Sequence, residues 1–313
     1  MRRALHIQAY PTTPQFLMNR AITASPSRTL ILLATAGLLA LGAGCNNADS
    51  DGETERVVSV SKQINEFMYA IGAQDVIVAR DETSFYPEAI RELPSVGYHR
   101  ALSAEGIIST RPTLLLTDGN VGPDAVMDQV RDVGIPVLVV KPGSTVDSAQ
   151  AMMAELGRRF HREAAADSVI AAWRDGMSLI AADTLANQAE GTKPRVLIIH
   201  FGQLINNYLA VNRGSIADQV LRWAGGVNAV DSLGGMTRLT PELIARAAPD
   251  VIIATEVGFD RFGSAEKFAE LPGVSLTPAG ENGRIYRIEE AELIYYGPRT
   301  PNTVKSLHEM LYR

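Results

Sequence analysis

The chain has almost nothing for thiol chemistry. Its 313 residues include a single cysteine, Cys45, which excludes an internal disulfide and a zinc site built on cysteine pairs. It also lacks a Gly-rich phosphate loop, the His/Glu spacing of a metalloprotease and a nucleophile elbow. An enzymatic reading is left with only scattered polar residues, and none is expected. Positive charge is not in excess: the formal net charge is −6 and no basic stripe is present, which argues against a broad electrostatic hold on nucleic acid. What is there is apolar residue, 46% of the chain, in a length that comfortably forms two lobes, each with its own core.

The apolar run Thr29 to Leu41, preceded by Arg20 and Arg28, has the length of a signal-peptide core and is too short for a permanent membrane span. It reads as an export signal, and Met18 as a start would shorten its charged leader to an ordinary length. The run ends in Leu41-Gly42-Ala43-Gly44-Cys45, which resembles the lipobox of bacterial lipoproteins, although the leucine sits one position further from the cysteine than usual. The resemblance implies lipidation at Cys45, an anchor in a membrane and a periplasmic location. The sequence is therefore divided into a signal over 1–45 and a polar tether over 46–55.

The remainder reads as two α/β halves. Val57 to Val60 is a β-branched run, and Ser61 caps a helix with apolar positions at Ile64, Phe67, Met68 and Ile71 that Gly72 stops. Further short runs at Val76–Ala79, Leu114–Thr117 and Val137–Val140, with a helical pattern over Pro123–Val133, read as buried parallel strands with crossovers. The second half repeats the pattern, with strands at Val196–Ile199, Val251–Ala254 and Ile285–Ile288 and a helix over Ser215–Ala224. The segment Leu102 to Leu116 recurs as Leu239 to Ile253 at a constant offset of 137 positions, pairing Ser103 with Thr240 as helix caps and Pro112 with Pro249 as helix stops. Between the halves, Val146 to Gln188 carries no strand pattern and predicts one long helix, with Met153, Leu156, Phe160, Ala164 and Ile170 near one face. The expected fold is α/β: two Rossmann-like lobes, over 56–144 and 191–313, joined by a single long α-helix over 145–190. One rigid connection gives a cleft that opens only slightly.

The repeat predicts that the cleft lies between the loop Gly97-Tyr98-His99-Arg100 and its counterpart, Gly234-Gly235-Met236-Thr237-Arg238. At the first of these the stretch Val96 to Gly106 resembles the signature of periplasmic haem-binding proteins of ABC importers. The likeness continues in order through Gly225-Gly226-Val227-Asn228, Leu271-Pro272-Gly273-Val274 and Gly297-Pro298-Arg299-Thr300-Pro301. It implies the two-lobed, helix-linked (class III) binding-protein fold, haem as the transported ligand, and Tyr98 as the axial ligand of its iron.

A phenolate is a suitable hard donor for ferric iron, but free tyrosine, with a pKa near 10, is protonated at neutral pH, so iron and a neighbouring cation must favour the charged form. Arg100 is the nearest cation in sequence; a haem propionate or the macrocycle face is an equally open target for it, and Arg238 is the arginine of the opposite loop. His99 replaces the apolar residue expected there and alternation points it away from Tyr98's direction. His200, at the end of a strand, is the candidate second ligand, with simple hydrogen bonding as its other reading; Tyr208 follows in the loop after it.

Related binding proteins present one carboxylate per lobe to permease arginines, which here implies Asp124 and Glu266, although an acid in a first helical turn also has a local role. The implied partners are the permease and its ATPase, with the binding protein itself a monomer. A ferric siderophore or a corrinoid is the competing ligand.

Overall fold

The computed structural model describes residues 55–141, 145–188, 193–201 and 208–313. The export segment, Cys45 and nearly all of the tether lie outside them. The first lobe runs β1 (Val57–Val60), α1 (Lys62–Ala70), β2 (Ile77–Arg80), α2 (Ala104–Ser109), β3 (Leu114–Thr117), α3 (Asp124–Asp132), β4 (Val137–Val139). Its four strands are all parallel in the order β2-β1-β3-β4. Strand alternation splits the apolar residues between two cores: Val57, Leu114 and Leu116 face the long helices, while Val58, Val60 and Leu115 pack with Leu102, Ile107 and Val130 beneath α2 and α3.

The stretch expected to be one helix is two, α4 (Val146–Arg159) and α5 (Glu163–Gln188). The break is local: Phe160 ends α4, His161 takes a left-handed conformation (φ 54°), and Arg162 Nε bonds to Gly72 O at 3.1 Å. A Cβ on Gly157 would lie 2.6 Å from Ala166 Cβ, so α5 folds back against α4 where no side chain separates them. The apolar phase slips at the break, and Ala166 rather than Ala164 joins the core with Met153, Leu156, Phe160 and Ile170. The 26-residue α5 is the single connecting helix.

The second lobe contains β5 (Arg195–Phe201), β6 (Tyr208–Val211), α6 (Ile216–Trp223), β7 (Val227–Asn228), β8 (Met236–Arg238), α7 (Pro241–Ala247) and β9 (Val251–Thr255). It continues through α8 (Glu256–Phe262), α9 (Ala265–Ala269), α10 (Pro278–Glu281), β10 (Ile285–Ile288), α11 (Ala291–Ile294) and α12 (Thr300–Leu311). Its sheet, β10-β9-β5-β6-β8 with β7 also beside β5, is mixed rather than wholly parallel, because β6 is antiparallel to both β5 and β8. Tyr208 and Met236–Arg238 are thus strand residues, not loop residues. Each of these strands is too short to leave a periodicity.

The repeat has its structural counterpart at the caps. Ser103 Oγ accepts from Gly106 N at 2.9 Å and Thr240 Oγ1 from Leu243 N at 3.2 Å, at the starts of α2 and α7. Ser103→Ala is expected to lower unfolding free energy by about 1 kcal/mol, read from denaturant melts. A cost below about 0.3 kcal/mol would show that the cap contributes nothing. One apolar cluster runs from Val57 and Phe67 through Leu156 and Ile170 to Val251, Leu307 and Leu311, so a shared core bridges the lobes behind the cleft.

Candidate functional site

Open parallel sheets place ligands outside the carboxyl ends of their strands, and both sheets turn those ends toward one another. The contacts across the gap show it. From α1, just beyond β1, Lys62 Nζ lies 3.5 Å from Glu290 Oε2, just beyond β10, and Gln63 Nε2 donates to Tyr296 O at 2.8 Å. Farther along α1, Glu66 meets Arg299 at 3.0 Å.

Tyr98 stands on the first-lobe rim. Gly97 takes a positive φ of 98° to turn the chain after Val96, a conformation that a residue with a Cβ adopts only under strain. Glu82 N donates to Gly97 O, Ala101 N to Tyr98 O, Gly122 N to His99 O and Leu102 N to Gly122 O, all at 2.8–2.9 Å. The tyrosine therefore projects from a braced turn. Its ring is half-buried against the edge of the His99 ring, 4.5 Å between centroids, and its hydroxyl has no hydrogen-bond partner among the described residues.

The chain turns at His99 rather than running extended, so alternation does not separate the two rings; the imidazole touches Tyr98 and also faces Thr83 Oγ1 at 3.4 Å and Asp81 Oδ2 at 3.8 Å. Burial lowers its pKa and outweighs the attraction of Asp81, with Arg100 and Lys62 acting in the same direction as burial. Asp81 is in any case occupied, accepting from Ser84 Oγ, Thr83 N and Thr83 Oγ1. Neutral His99 is the form this site favours. Arg100 is exposed and donates from Nη2 to Asn120 Oδ1 at 3.0 Å.

Across the gap, His200 is the next-to-last residue of β5, its Nδ1 3.9 Å from Glu290 Oε1. Glu256, the first residue of α8, accepts from Glu290 N at 2.6 Å, and burial is the main cause of its raised pKa. Lys62, Glu290 and His200 thus follow one another across the gap between the lobes, while Tyr98 and His99 stand in the turn beyond Ser95, which pairs with the last residue of β2. Arg238, exposed, closes β8 opposite Leu209, beside His200 in register, whereas Gly234 and Gly235 enter β8 from the other end of the sheet. Asp124 and Glu266 are exposed first-turn acids of α3 and α9, and Glu266 has its pKa lowered by bonding to its own backbone N–H and to Ser264.

Sequence reasoning missed Lys62, Glu256, Glu290 and the Glu66–Arg299 pair. The usable signal was position: three of these residues stand one or two places after a strand's carboxyl end.

With this geometry in place, the family model described as "Periplasmic binding protein" matches residues 57–292. The chain belongs to the periplasmic binding protein family. Members are extracytoplasmic solute-binding components of ABC importers, not enzymes, and work with a permease and an ATPase. Among solved structures, the periplasmic heme-binding protein BhuT in complex with two hemes is 30% identical with a TM-score of 0.74, covering 82% of this chain and 97% of that one. The apo periplasmic heme-binding protein RhuT from Roseiflexus sp. RS-1 is 27% identical with a TM-score of 0.75, covering 83% and 98%. The vitamin B12-binding protein of Yersinia pestis is 25% identical over 203 residues, 64% of this chain and 69% of its own. This binding protein therefore has relatives named for two different macrocycles.

Proposed function

We propose that this binding protein captures haem between the carboxyl ends of its two sheets, with the Tyr98 phenolate as axial donor to ferric iron, and delivers it to an ABC permease. The observation that carries this reading is the Tyr98 hydroxyl: a phenol on a braced turn at the cleft rim, half-buried, with no hydrogen-bond partner among the described residues. The hydroxyl is not among the buried polar atoms, so it is open to a ligand. The relatives named for heme support the same ligand.

His200 supplies a second axial donor, an imidazole nitrogen, from the opposite lobe, and Arg100 and Arg238 are the exposed cations for the propionates. Asp124 and Glu266 are the carboxylates offered to the permease, one from each lobe. Cys45 carries the lipid anchor that keeps a monomeric carrier beside its importer.

A corrinoid is the second reading, favoured by the vitamin B12-binding relative. The two are separated by titrating purified protein with hemin and with cyanocobalamin and following absorbance. A saturable Soret change with hemin and none with the cobalamin is expected. Saturable cobalamin binding with an unaltered hemin spectrum would replace haem by the corrinoid.

A further inference from the structure

Nδ1 of His200 is buried and has no hydrogen-bond partner among the described residues, an uncommon state for a ring nitrogen. The acceptor placed for it is Glu290, whose Oε1 lies 3.9 Å away, about 1 Å beyond bonding distance. Glu290 is fixed at its backbone, because its N–H donates to Glu256 Oε2 at 2.6 Å. Its other oxygen, Oε2, faces Lys62 Nζ of the opposite lobe at 3.5 Å. One carboxylate therefore stands between a cation of the first lobe and an imidazole of the second, and all three side chains are partly shielded, 18–24% exposed.

An imidazole that binds a metal through Nε2 carries its proton on Nδ1 and needs an acceptor there, commonly a carboxylate, which also sets the ring's orientation. We propose that Glu290 is the positioning residue for His200: it accepts from Nδ1–H, holds the tautomer with Nε2 unprotonated, and so presents Nε2 to the haem iron opposite Tyr98. This rests on the haem reading given above. Lys62 holds the carboxylate in place from the other lobe, so the second ligand is set only while the two lobes stand together. No proton leaves the imidazole in this arrangement; a rotation of the Glu290 side chain closes the gap.

Two measurements test it. In the ligand-free protein at neutral pH, ¹⁵N NMR of labelled histidine should show His200 protonated at Nδ1, and Glu290→Leu should move the proton to Nε2. In the hemin complex, absorption and electron paramagnetic resonance should give six-coordinate, low-spin iron in the wild type. Both His200→Ala and Glu290→Leu should yield five-coordinate, high-spin iron still bound through Tyr98, and Glu290→Leu should release hemin about 10–100 times faster. Glu290→Gln, which keeps an acceptor oxygen, should restore most of the low-spin signal.

An Nε2-protonated His200 in the wild type would overturn the proposal, as would a wild-type spectrum in the Glu290→Leu complex. Failure of the haem reading looks different: hemin would leave the wild-type spectrum unchanged, or Tyr98→Phe would bind it as the wild type does. The NMR result on the ligand-free protein decides the Glu290–His200 pairing in either case.

Discussion

Arg299→Ala is expected to destabilise the folded protein by about 3–5 kcal/mol, because it leaves a buried carboxylate without its cationic partner, with only the Tyr295 hydroxyl still donating to it at 3.2 Å. Glu66, on α1 of the first lobe, is 3% exposed and accepts two hydrogen bonds from the Arg299 guanidinium, at 3.1 Å from Nε and 3.0 Å from Nη2. The same guanidinium donates from Nη1 to Glu289 and Glu292 at 3.0 Å each and lies over the Tyr86 ring at 3.6 Å. Burial opposes its charge, but the hydrogen bonds and charges of the three carboxylates outweigh that and raise its pKa. Burial pushes the acid pKa of Glu292 and Tyr295 upward in the same cluster.

Tyr86 and Glu66 belong to the first lobe and the other members to the second, so this cluster ties the lobes together on the α1 side. Denaturant unfolding of the single variant measures the cost. The double variant Glu66→Leu/Arg299→Met should recover much of it, since removing both charges also removes their desolvation penalty. A single-variant cost below about 1 kcal/mol would mean that the pair behaves as a solvated surface contact.

Tyr98→Phe is expected to weaken hemin binding by about 100-fold or more while leaving stability within about 0.5 kcal/mol of wild type. The magnitude follows from metal sites, where losing even an outer partner of a ligand costs about 10–100-fold; here the ligand atom itself is removed. The small stability change follows because the hydroxyl bonds to no described residue and the ring contact with His99 survives the substitution. The two effects are read on one preparation, by hemin titration and thermal melting. A variant that loses both together would place Tyr98 among the packing residues.

Much of the architecture was legible before the structure because it rests on local rules. Val57–Val60 and Leu114–Thr117 are short Val- and Leu-rich runs, buried along their whole length as a strand covered on both faces is, and Ser61, Ser103 and Thr240 announce helix starts by chemistry that acts within three residues. The break at His161 left no such mark. It contains neither proline nor glycine, and the close packing of Gly157 on Ala166 that accompanies it is tertiary.

The antiparallel strands β6 and β8 were invisible for a related reason. At four and three residues they are held by pairing with one another and with β5, not by their own composition. At the proposed site, Tyr98 was singled out through its motif. Lys62 and Glu290 are common surface residue types whose meaning arises only when two strand ends 228 positions apart meet across the cleft.

The central claim is that Tyr98 supplies a phenolate to the iron of a bound haem, and resonance Raman spectroscopy of the hemin complex tests it most directly. Excitation into the phenolate-to-iron charge-transfer band should enhance phenolate ring modes and an iron–oxygen stretch in the wild type, and all of these should vanish in Tyr98→Phe. Their absence from the wild-type complex, or their survival in the variant, would contradict the account.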